Sequence, residues 1–239
     1  MLQEKLFERY MKISEEHQEF LDKTLSYKCL SKLLLGGVPD EYEQASNKIL
    51  IVGRETKNWL NGNEWINLQY DKKGTRRLME KSICFFQGQI KDNKKNSQGN
   101  SFLNFVRDIA KKSGRDGLLW ANIYAFDYNG GHVNHIKDKN MIKEIETISR
   151  KIIVAQIEIL NPDIIIFATG NQGIAARRRY FPNSELRERT AIEGYPSKDL
   201  WAFKLPDHDA QCYRIHHPSS FRSEKREARQ KLIEILPSI

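Results

Sequence analysis

A carboxylate and a histidine stand in the two segments of the sequence that are best suited to acid–base chemistry. The segment GRET (53–56) follows a short apolar run and offers the carboxylate of Glu55. The segment HHPSS (216–220) follows the segment QCYRI and offers histidines, which can donate to an anionic oxygen or transfer a proton. Pro218 restricts the residue before it and so fixes where that histidine points. The alternatives are a surface carboxylate paired with a nearby cation and a structural histidine.

Other polar and basic residues could bind a ligand. Asn122 ends the apolar run LLWA, and its amide could pair with the edge of a base or bond to the local backbone. The two serines of the HHPSS segment precede the last predicted helix, where both helix caps and phosphate-binding hydroxyls occur. The three arginines at 177–179 are either a solvated helix face or a phosphate-binding surface. His132 and His135 lack a carboxylate at metal-ligand spacing, and we assign neither a role.

The composition favours a polyanionic partner and excludes several other classes. Lys plus Arg number 39 and Asp plus Glu 31, which gives a formal net charge of +8. No apolar run approaches the roughly 20 residues that span a bilayer, and residues 1–16 lack the apolar stretch of a signal peptide. The three cysteines are scattered without CxxC spacing, which argues against a disulfide framework or a zinc site. We therefore expect a soluble, cytoplasmic monomer without metal or cofactor.

Three short apolar runs and the segment QCYRIH predict the strands that position these residues. They are residues 48–53, 117–124, 163–169 and 211–216. Such runs are typical of buried parallel strands. Ligands bind outside the carboxyl ends of parallel strands, and each of the motifs above lies at such an end.

Most of the segments between the predicted strands have the apolar periodicity of helices. The predicted helices are residues 2–35, 75–90, 102–112, 140–160, 173–180 and 223–236. The predicted irregular segments are residues 54–75, 91–100 and 127–139. Strands that alternate with helices indicate βαβ crossovers and a mostly parallel sheet covered on both faces.

The four strand-end motifs, taken in order, resemble those of the uracil-DNA glycosylase superfamily. The matching stretches are ILIVGRET (49–56), LLWANIYAF (118–126), NPDIIIFATG (161–170) and YRIHHPSS (213–220). The resemblance implies an α/β fold with three layers, α/β/α, around a central four-stranded, mostly parallel sheet. We expect a single domain over residues 1–239, with an N-terminal helical segment at 1–36 and a glycosylase-like core at 48–239.

The resemblance also implies a role for each matching residue. Glu55 falls where the family places the carboxylate that orients the attacking water, Asn122 where it reads the base edge, and His217 where it stabilises negative charge on the departing base. Such an enzyme acts on a base that has been flipped out of the stack. We expect further contacts to the base from Gly53, Arg54, Thr56, Lys57 and Trp59, and to DNA from Gly170, Asn171, Arg177, Ser219, Ser220 and Arg222. The aromatic side chain that stacks on the base is open between Trp59, Trp65 and Tyr70.

One departure from the family pattern bears on the substrate. In the uracil-specific branch a proline and a tyrosine follow the first motif, and the tyrosine blocks groups larger than hydrogen at C5 of the base. Here those positions are Thr56 and Lys57. The open, polar C5 side indicates a modified pyrimidine, whose substituent Lys57, Asn58 or Asn61 could hydrogen-bond. A sugar-decorated pyrimidine of viral DNA is one such base, which would make this a defence enzyme.

Three other functions fit parts of the sequence. The first is a uracil-DNA glycosylase in base excision repair. The second is a non-catalytic DNA-binding module, against which Glu55 argues because a pure binder gains nothing from a carboxylate that faces phosphates. The third is a small-molecule α/β enzyme, against which the missing phosphate-cradling glycine fingerprint argues. We favour a monofunctional N-glycosylase, a hydrolase, since no lysine is an obvious Schiff-base nucleophile. Lys57, near the mouth of the site, is the alternative.

Overall fold

The structure, a computed structural model, describes residues 1–91 and 101–239. The irregular segment predicted at 91–100 therefore lies outside the described residues, apart from Lys91. The described chain forms two compact units. The helical unit comprises Met1–Val38, Glu55–Ile83 and Ala121–Leu160, and the sheet unit comprises Pro39–Arg54, Cys84–Trp120 and Asn161–Ile239.

The regular elements follow one another along the chain in alternating order. The helices are α1 (Leu2–Glu16), α2 (Gln18–Ser26), α3 (Lys72–Lys91), α4 (Ser101–Ser113), α5 (Lys139–Leu160), α6 (Gly170–Tyr180) and α7 (Ser223–Ile235). The strands are β1 (Ile49–Gly53), β2 (Leu118–Asn122), β3 (Ile164–Phe167), β4 (Arg187–Ala191), β5 (Leu200–Lys204) and β6 (Gln211–Ile215). Within the described ranges, none of the helices has both the length and the apolar character needed to cross a bilayer.

The sheet has the strand order β2-β1-β3-β6-β5-β4. β1 pairs with β3 and β3 pairs with β6 in parallel, whereas β5 is antiparallel to both of its neighbours, β6 and β4. The predicted α/β class and mostly parallel sheet are confirmed. The sequences ILIVG of β1 and IIIF of β3 are buried throughout, as central parallel strands require.

The predicted number of strands is wrong, because the sheet has six strands and not four. β4 has the sequence RERTA, and all five of its residues are exposed. It therefore lacks the apolar run on which the strand prediction depended, although charged residues suit an exposed sheet edge. β5 has the sequence LWAFK, a short apolar segment that is not among the four predicted strands.

The two faces of the sheet pack on different partners within the sheet unit. Ile49 and Ile51 of β1 and Ile164 and Ile166 of β3 project from one face into a core shared with α3, α4 and α7. On the other face, the Phe167 ring lies 5.7 Å from that of Phe181 and 5.8 Å from that of Phe203. Side chains from successive strand residues thus enter two separate environments.

In the helical unit, the prediction of helix over 2–35 is confirmed up to Ser26, apart from the break at His17 between α1 and α2, and is wrong beyond it. The apolar segment after α2 is extended, and its backbone pairs with the loop that follows β2. Leu34 N–H donates to Ala125 O at 2.8 Å, and Ser31 N–H donates to Asp127 O at 3.1 Å. Leu33, Leu34 and Leu35 are all buried, so burial on every side replaces the one-sided pattern of a helix.

Candidate functional site

The carboxyl ends of three adjacent parallel strands meet at one edge of the sheet unit. β1 ends at Gly53, β3 is followed after two residues by Gly170, and β6 is followed after one residue by His217. Since β1, β3 and β6 are neighbours in the sheet, these residues share an edge. Asn122 is the last residue of β2 and is buried. The predicted positions at the strand ends are confirmed.

His217 is held by the turn that follows it. Its Nδ1 accepts from the backbone N–H of Ser219 at 3.2 Å and lies 2.7 Å from Ser219 Oγ. Because a backbone N–H can only donate, Nδ1 carries no proton in the neutral ring, and the proton resides on Nε2. Ser219 therefore fixes the tautomer, and His217 presents an Nε2–H donor.

The surroundings of His217 keep its ring uncharged at neutral pH. Burial, followed by the positive charges of Arg54 and Arg229, lowers the pKa of His217 to about 4. The ring stacks on Phe102 of α4, with 6.3 Å between the ring centroids. A neutral imidazole with a fixed N–H donor is suited to stabilise a developing negative charge.

Gly170, at the start of α6, packs tightly against His217. Its φ is +62°, and a Cβ built there would lie 2.8 Å from the Cβ of His217. The position therefore requires glycine both for its left-handed backbone and for the space it leaves. This contact gives a structural reason for glycine at position 170, which we selected as a DNA contact.

Arg54 links the end of β1 to the first turn of α6. Its guanidinium donates to the Oε1 of Gln172, a residue that the sequence interpretation did not select. Asn171 and Arg222, both expected to contact DNA, are exposed. Ser220 donates its N–H to His217 O at 2.9 Å and accepts from Arg229 through its own carbonyl. Thus Arg54, Gly170, His217 and Ser219 form one group, which we call the histidine cluster.

Glu55 lies in the helical unit, where its side chain is 5% exposed. Its Oε2 is 3.9 Å from Nε2 of His132, whose Nδ1 accepts from the N–H of Asn134 at 3.0 Å. The Nε2 proton of His132 therefore faces the carboxylate. Tyr124 packs edge-on against the His132 ring, with 5.3 Å between centroids. His132, to which we assigned no role, thus lies beside Glu55, and we call Glu55, His132 and Tyr124 the carboxylate cluster.

A second carboxylate holds the backbone that follows Glu55. Asp127 is fully buried and accepts from Thr56 Oγ1 at 2.7 Å, from Trp59 N–H at 3.2 Å and from Gly130 N–H at 2.9 Å. Thr56, expected to face the base, therefore directs its hydroxyl to Asp127. The sequence offered only a weak signal for Asp127, namely its place before a Gly-Gly turn.

The remaining predicted base contacts differ in exposure. Lys57 is exposed, whereas Trp59 is only 7% exposed. Trp65 and Tyr70, the other candidates for stacking, are buried, and Arg77 lies 4.1 Å from the centre of the Trp65 ring. Glu55 and His217 belong to different units. Their assembly into one site with Asn122, and the base and DNA contacts expected of the other residues, stay predictions.

Comparison of the chain with models of known protein families and with curated proteins finds no match. The resemblance to the uracil-DNA glycosylase superfamily thus stays a prediction, which rests on the four strand-end motifs. The chemistry of the histidine and carboxylate clusters is the basis for assigning a function.

Proposed function

We propose that this protein is a DNA glycosylase that hydrolyses the N-glycosidic bond of a flipped-out, C5-modified pyrimidine, in defence against viruses with modified DNA. The observation that carries the proposal is the neutral His217, whose Nε2–H is fixed as a donor by Ser219. The alternative within the same chemistry is a uracil-DNA glycosylase of base excision repair.

The chemistry of base release needs two opposite electrostatic environments. As the C1′–N bond breaks, negative charge grows on the base and positive charge on the sugar. The Nε2–H of His217 is a donor that needs no change of protonation to stabilise the base anion. The carboxylate of Glu55, whose Oε2 lies 3.9 Å from His132 Nε2, is suited to stabilise the sugar cation and to hold the attacking water.

The loop that follows His217 has features of a DNA-binding segment. Phe221 is 90% exposed, which is unusual for a large apolar side chain. It stands directly before Arg222, and both side chains are exposed. Proteins that distort DNA insert such apolar side chains between bases while basic residues hold the phosphates. Phe221 was absent from the residues selected from the sequence, because exposure cannot be read from a single phenylalanine in a loop.

The substrate assignment depends on the residues that follow Glu55. Lys57 and Asn58 are exposed, so polar groups are available beside the position of the carboxylate. Thr56 and Lys57 replace the proline and tyrosine of the uracil-specific branch. A polar substituent at C5, such as a sugar, matches these side chains better than the hydrogen of uracil does.

A base-release assay over a panel of oligonucleotides tests the proposal. The panel contains uracil, 5-hydroxymethylcytosine and glucosylated 5-hydroxymethylcytosine, each in single-stranded and duplex form. We expect release of a modified cytosine, and a loss of at least about a hundredfold in rate with Glu55→Gln or His217→Ala. Glu41→Gln and His135→Ala change the same residue types at exposed positions and serve as matched controls.

Three results would count against the proposal in different ways. Release of uracil alone would favour the repair enzyme and refute the modified substrate. DNA binding without release of any base would favour a non-catalytic module. A covalent adduct trapped by borohydride would refute the monofunctional mechanism.

A further inference from the structure

A basic pocket lies in the sheet unit, beside α6 and the ends of β5 and β6. Its volume is about 570 Å³. Six of its twelve lining residues are arginine or lysine, and none is aspartate or glutamate. The six cations are Arg177, Arg178, Lys198, Arg214, Arg222 and Lys225. Such a concentration of positive charge around one cavity favours an anionic ligand.

Arg177 is the most informative residue of this pocket, since it is only 2% exposed. Its Nη2 donates to Asn183 Oδ1 at 3.1 Å, whereas its Nε and Nη1 are buried and have no hydrogen-bond partner among the described residues. The guanidinium lies 5.7 Å from the Trp201 ring and 5.5 Å from the Phe203 ring. A buried charge with two unsatisfied donors is costly unless a ligand satisfies them.

The other buried cations near Arg177 already have partners. Arg214 donates to the carbonyls of Ser197 and Lys198, at 3.2 and 2.6 Å. Lys225 donates to Asp199, whose Oδ1 is also 3.2 Å from Nε2 of His216. Asp199 thus lies against Lys225 and His216, and none of the ion pairs among the described residues includes Arg177.

Burial, followed by the charges of Arg214 and Arg178, lowers the pKa of Arg177 to about 10. The guanidinium therefore stays charged at neutral pH. The unsatisfied Nε–H and Nη1–H groups lie on a rigid, planar cation, and each can donate to an oxygen of a phosphate group. A carboxylate could also accept from them, but the five further cations around the cavity fit the higher charge of phosphate better.

We infer that this pocket binds the phosphate group of a nucleotide or of a nucleic-acid strand, with Arg177 as its central donor. A cavity of about 570 Å³ is larger than a single phosphate needs and lies within the usual range for organic ligands. The inference goes beyond the proposed function, because binding of a phosphate requires no base release.

The position of the pocket relates it to the histidine cluster. His216 lines the pocket, and the next residue, His217, belongs to the cluster. Asn171 lines the pocket, and the residue before it, Gly170, packs on His217. A strand bound at the histidine cluster would therefore have a phosphate site beside it in the same unit.

The test compares two variants of the full-length protein that remove one charge from the same helix. Arg177→Met removes the buried guanidinium, and Arg179→Met removes an exposed one that does not line the pocket. Binding is measured by calorimetry with inorganic phosphate, deoxycytidine 5′-monophosphate, and one oligonucleotide with either a 5′-phosphate or a 5′-hydroxyl. We expect Arg177→Met to weaken binding of the preferred probe about tenfold or more, and Arg179→Met to change it less than about twofold.

Two further measurements distinguish a loss of phosphate binding from a folding defect of the variant. The wild-type Tm should rise with the preferred probe, and that rise should be lost in Arg177→Met even where the variant melts normally without a probe. Arg222→Gln changes an exposed lining residue, so a drop in affinity there cannot come from the core.

The probes also distinguish the source of the phosphate. Preference for the 5′-phosphorylated strand would place a strand end in the pocket, equal binding of both oligonucleotides would place an internal phosphate there, and equal binding of the mononucleotide would identify a free nucleotide. Equal weakening by Arg177→Met and Arg179→Met would overturn the inference, because diffuse charge would then explain the binding. Binding of none of the probes to the wild-type protein would also overturn it. Neither result depends on base release, so each is separable from a failure of the proposed function.

Discussion

The turns after β1 and β6 hold their functional side chains by different means. After β6, His217 is fixed mainly by Ser219, two residues further along the chain. After β1, the backbone beside Glu55 is fixed by Asp127, which lies 71 residues from Thr56 in the sequence. A turn held by its own residues can be recognised as a short motif, whereas a turn held by a distant carboxylate cannot.

Replacement of Asp127 should have the largest effect on stability. Asp127→Ala leaves the Thr56 hydroxyl and two backbone N–H groups buried without their acceptor. We expect the free energy of unfolding to fall by about 4 kcal/mol, as measured by urea denaturation. Asp209→Ala, at an exposed position, should change it by less than about 0.5 kcal/mol. A loss for Asp127→Ala no larger than that of this control would mean that the turn after β1 is held by other contacts.

Replacement of Gly170 should test the tight contact beside His217. Gly170→Ala adds both the strain of a positive φ and a clash 2.8 Å from the His217 Cβ. We expect a loss of about 2 kcal/mol in unfolding free energy and a displaced histidine. Gly194 has a φ of +80° with open space around it, so Gly194→Ala should show the cost of strain alone, about 1 kcal/mol. Equal losses of unfolding free energy in the two variants would show that the turn at Gly170 relieves the clash with His217 without a further loss of stability.

Removal of the Thr56 hydroxyl distinguishes a structural role of this residue from a contact with the base. Thr56→Val keeps the shape and removes the donor to Asp127, so we expect a loss of about 1–2 kcal/mol in urea denaturation. The affinity for an oligonucleotide with a modified base should stay within about twofold if the hydroxyl acts only through Asp127. A change in affinity without a change in stability would instead place Thr56 against the base.

The smallest expected effect is the pH dependence that His217 contributes. Its folded pKa of about 4 lies below the ordinary value of 6.5, so between these values the unfolded chain binds a proton that the folded chain does not. The free energy of unfolding should therefore fall as the pH is lowered from about 6.5 to 4, by about 1 kcal/mol or less after solvent screening. Urea denaturation of wild type and His217→Asn at both ends of this range measures the difference. An imidazole that titrates above about pH 6 by nitrogen NMR would contradict the neutral donor.

The parts of the fold that sequence could predict are those with a local signal. β1 and β3 are apolar runs, and α5 carries a regular apolar stripe, so these patterns identified them. β4 is wholly exposed and polar, and it is a strand only because β5 pairs with it. The segment after α2 was predicted as helix because the periodicity of residues 6–25 was extended to the break at Gly36-Gly37, and Leu33–Leu35 alone do not distinguish a helix from a buried extended chain.

The same distinction applies to the candidate site. His217, Ser219 and Gly170 could be selected because a turn and a strand end mark their positions. His132 and Asp127 could not, because their importance comes from contacts with residues about 70 positions earlier in the chain. Arg177 illustrates a third case, since three consecutive arginines look alike in sequence and only the structure shows that one of them is buried.

The two adjacent histidines at the end of β6 tie two surfaces to one strand. His216 and His217 directly follow β6, and their side chains enter different environments: His216 lines the basic pocket while His217 stacks on Phe102. A single inserted or deleted residue within β6 would shift both histidines by one position and remove at least one of them from its environment. Mutational change in either surface is therefore restricted by the other, and we expect substitutions to be tolerated far better than length changes between Gln211 and His217.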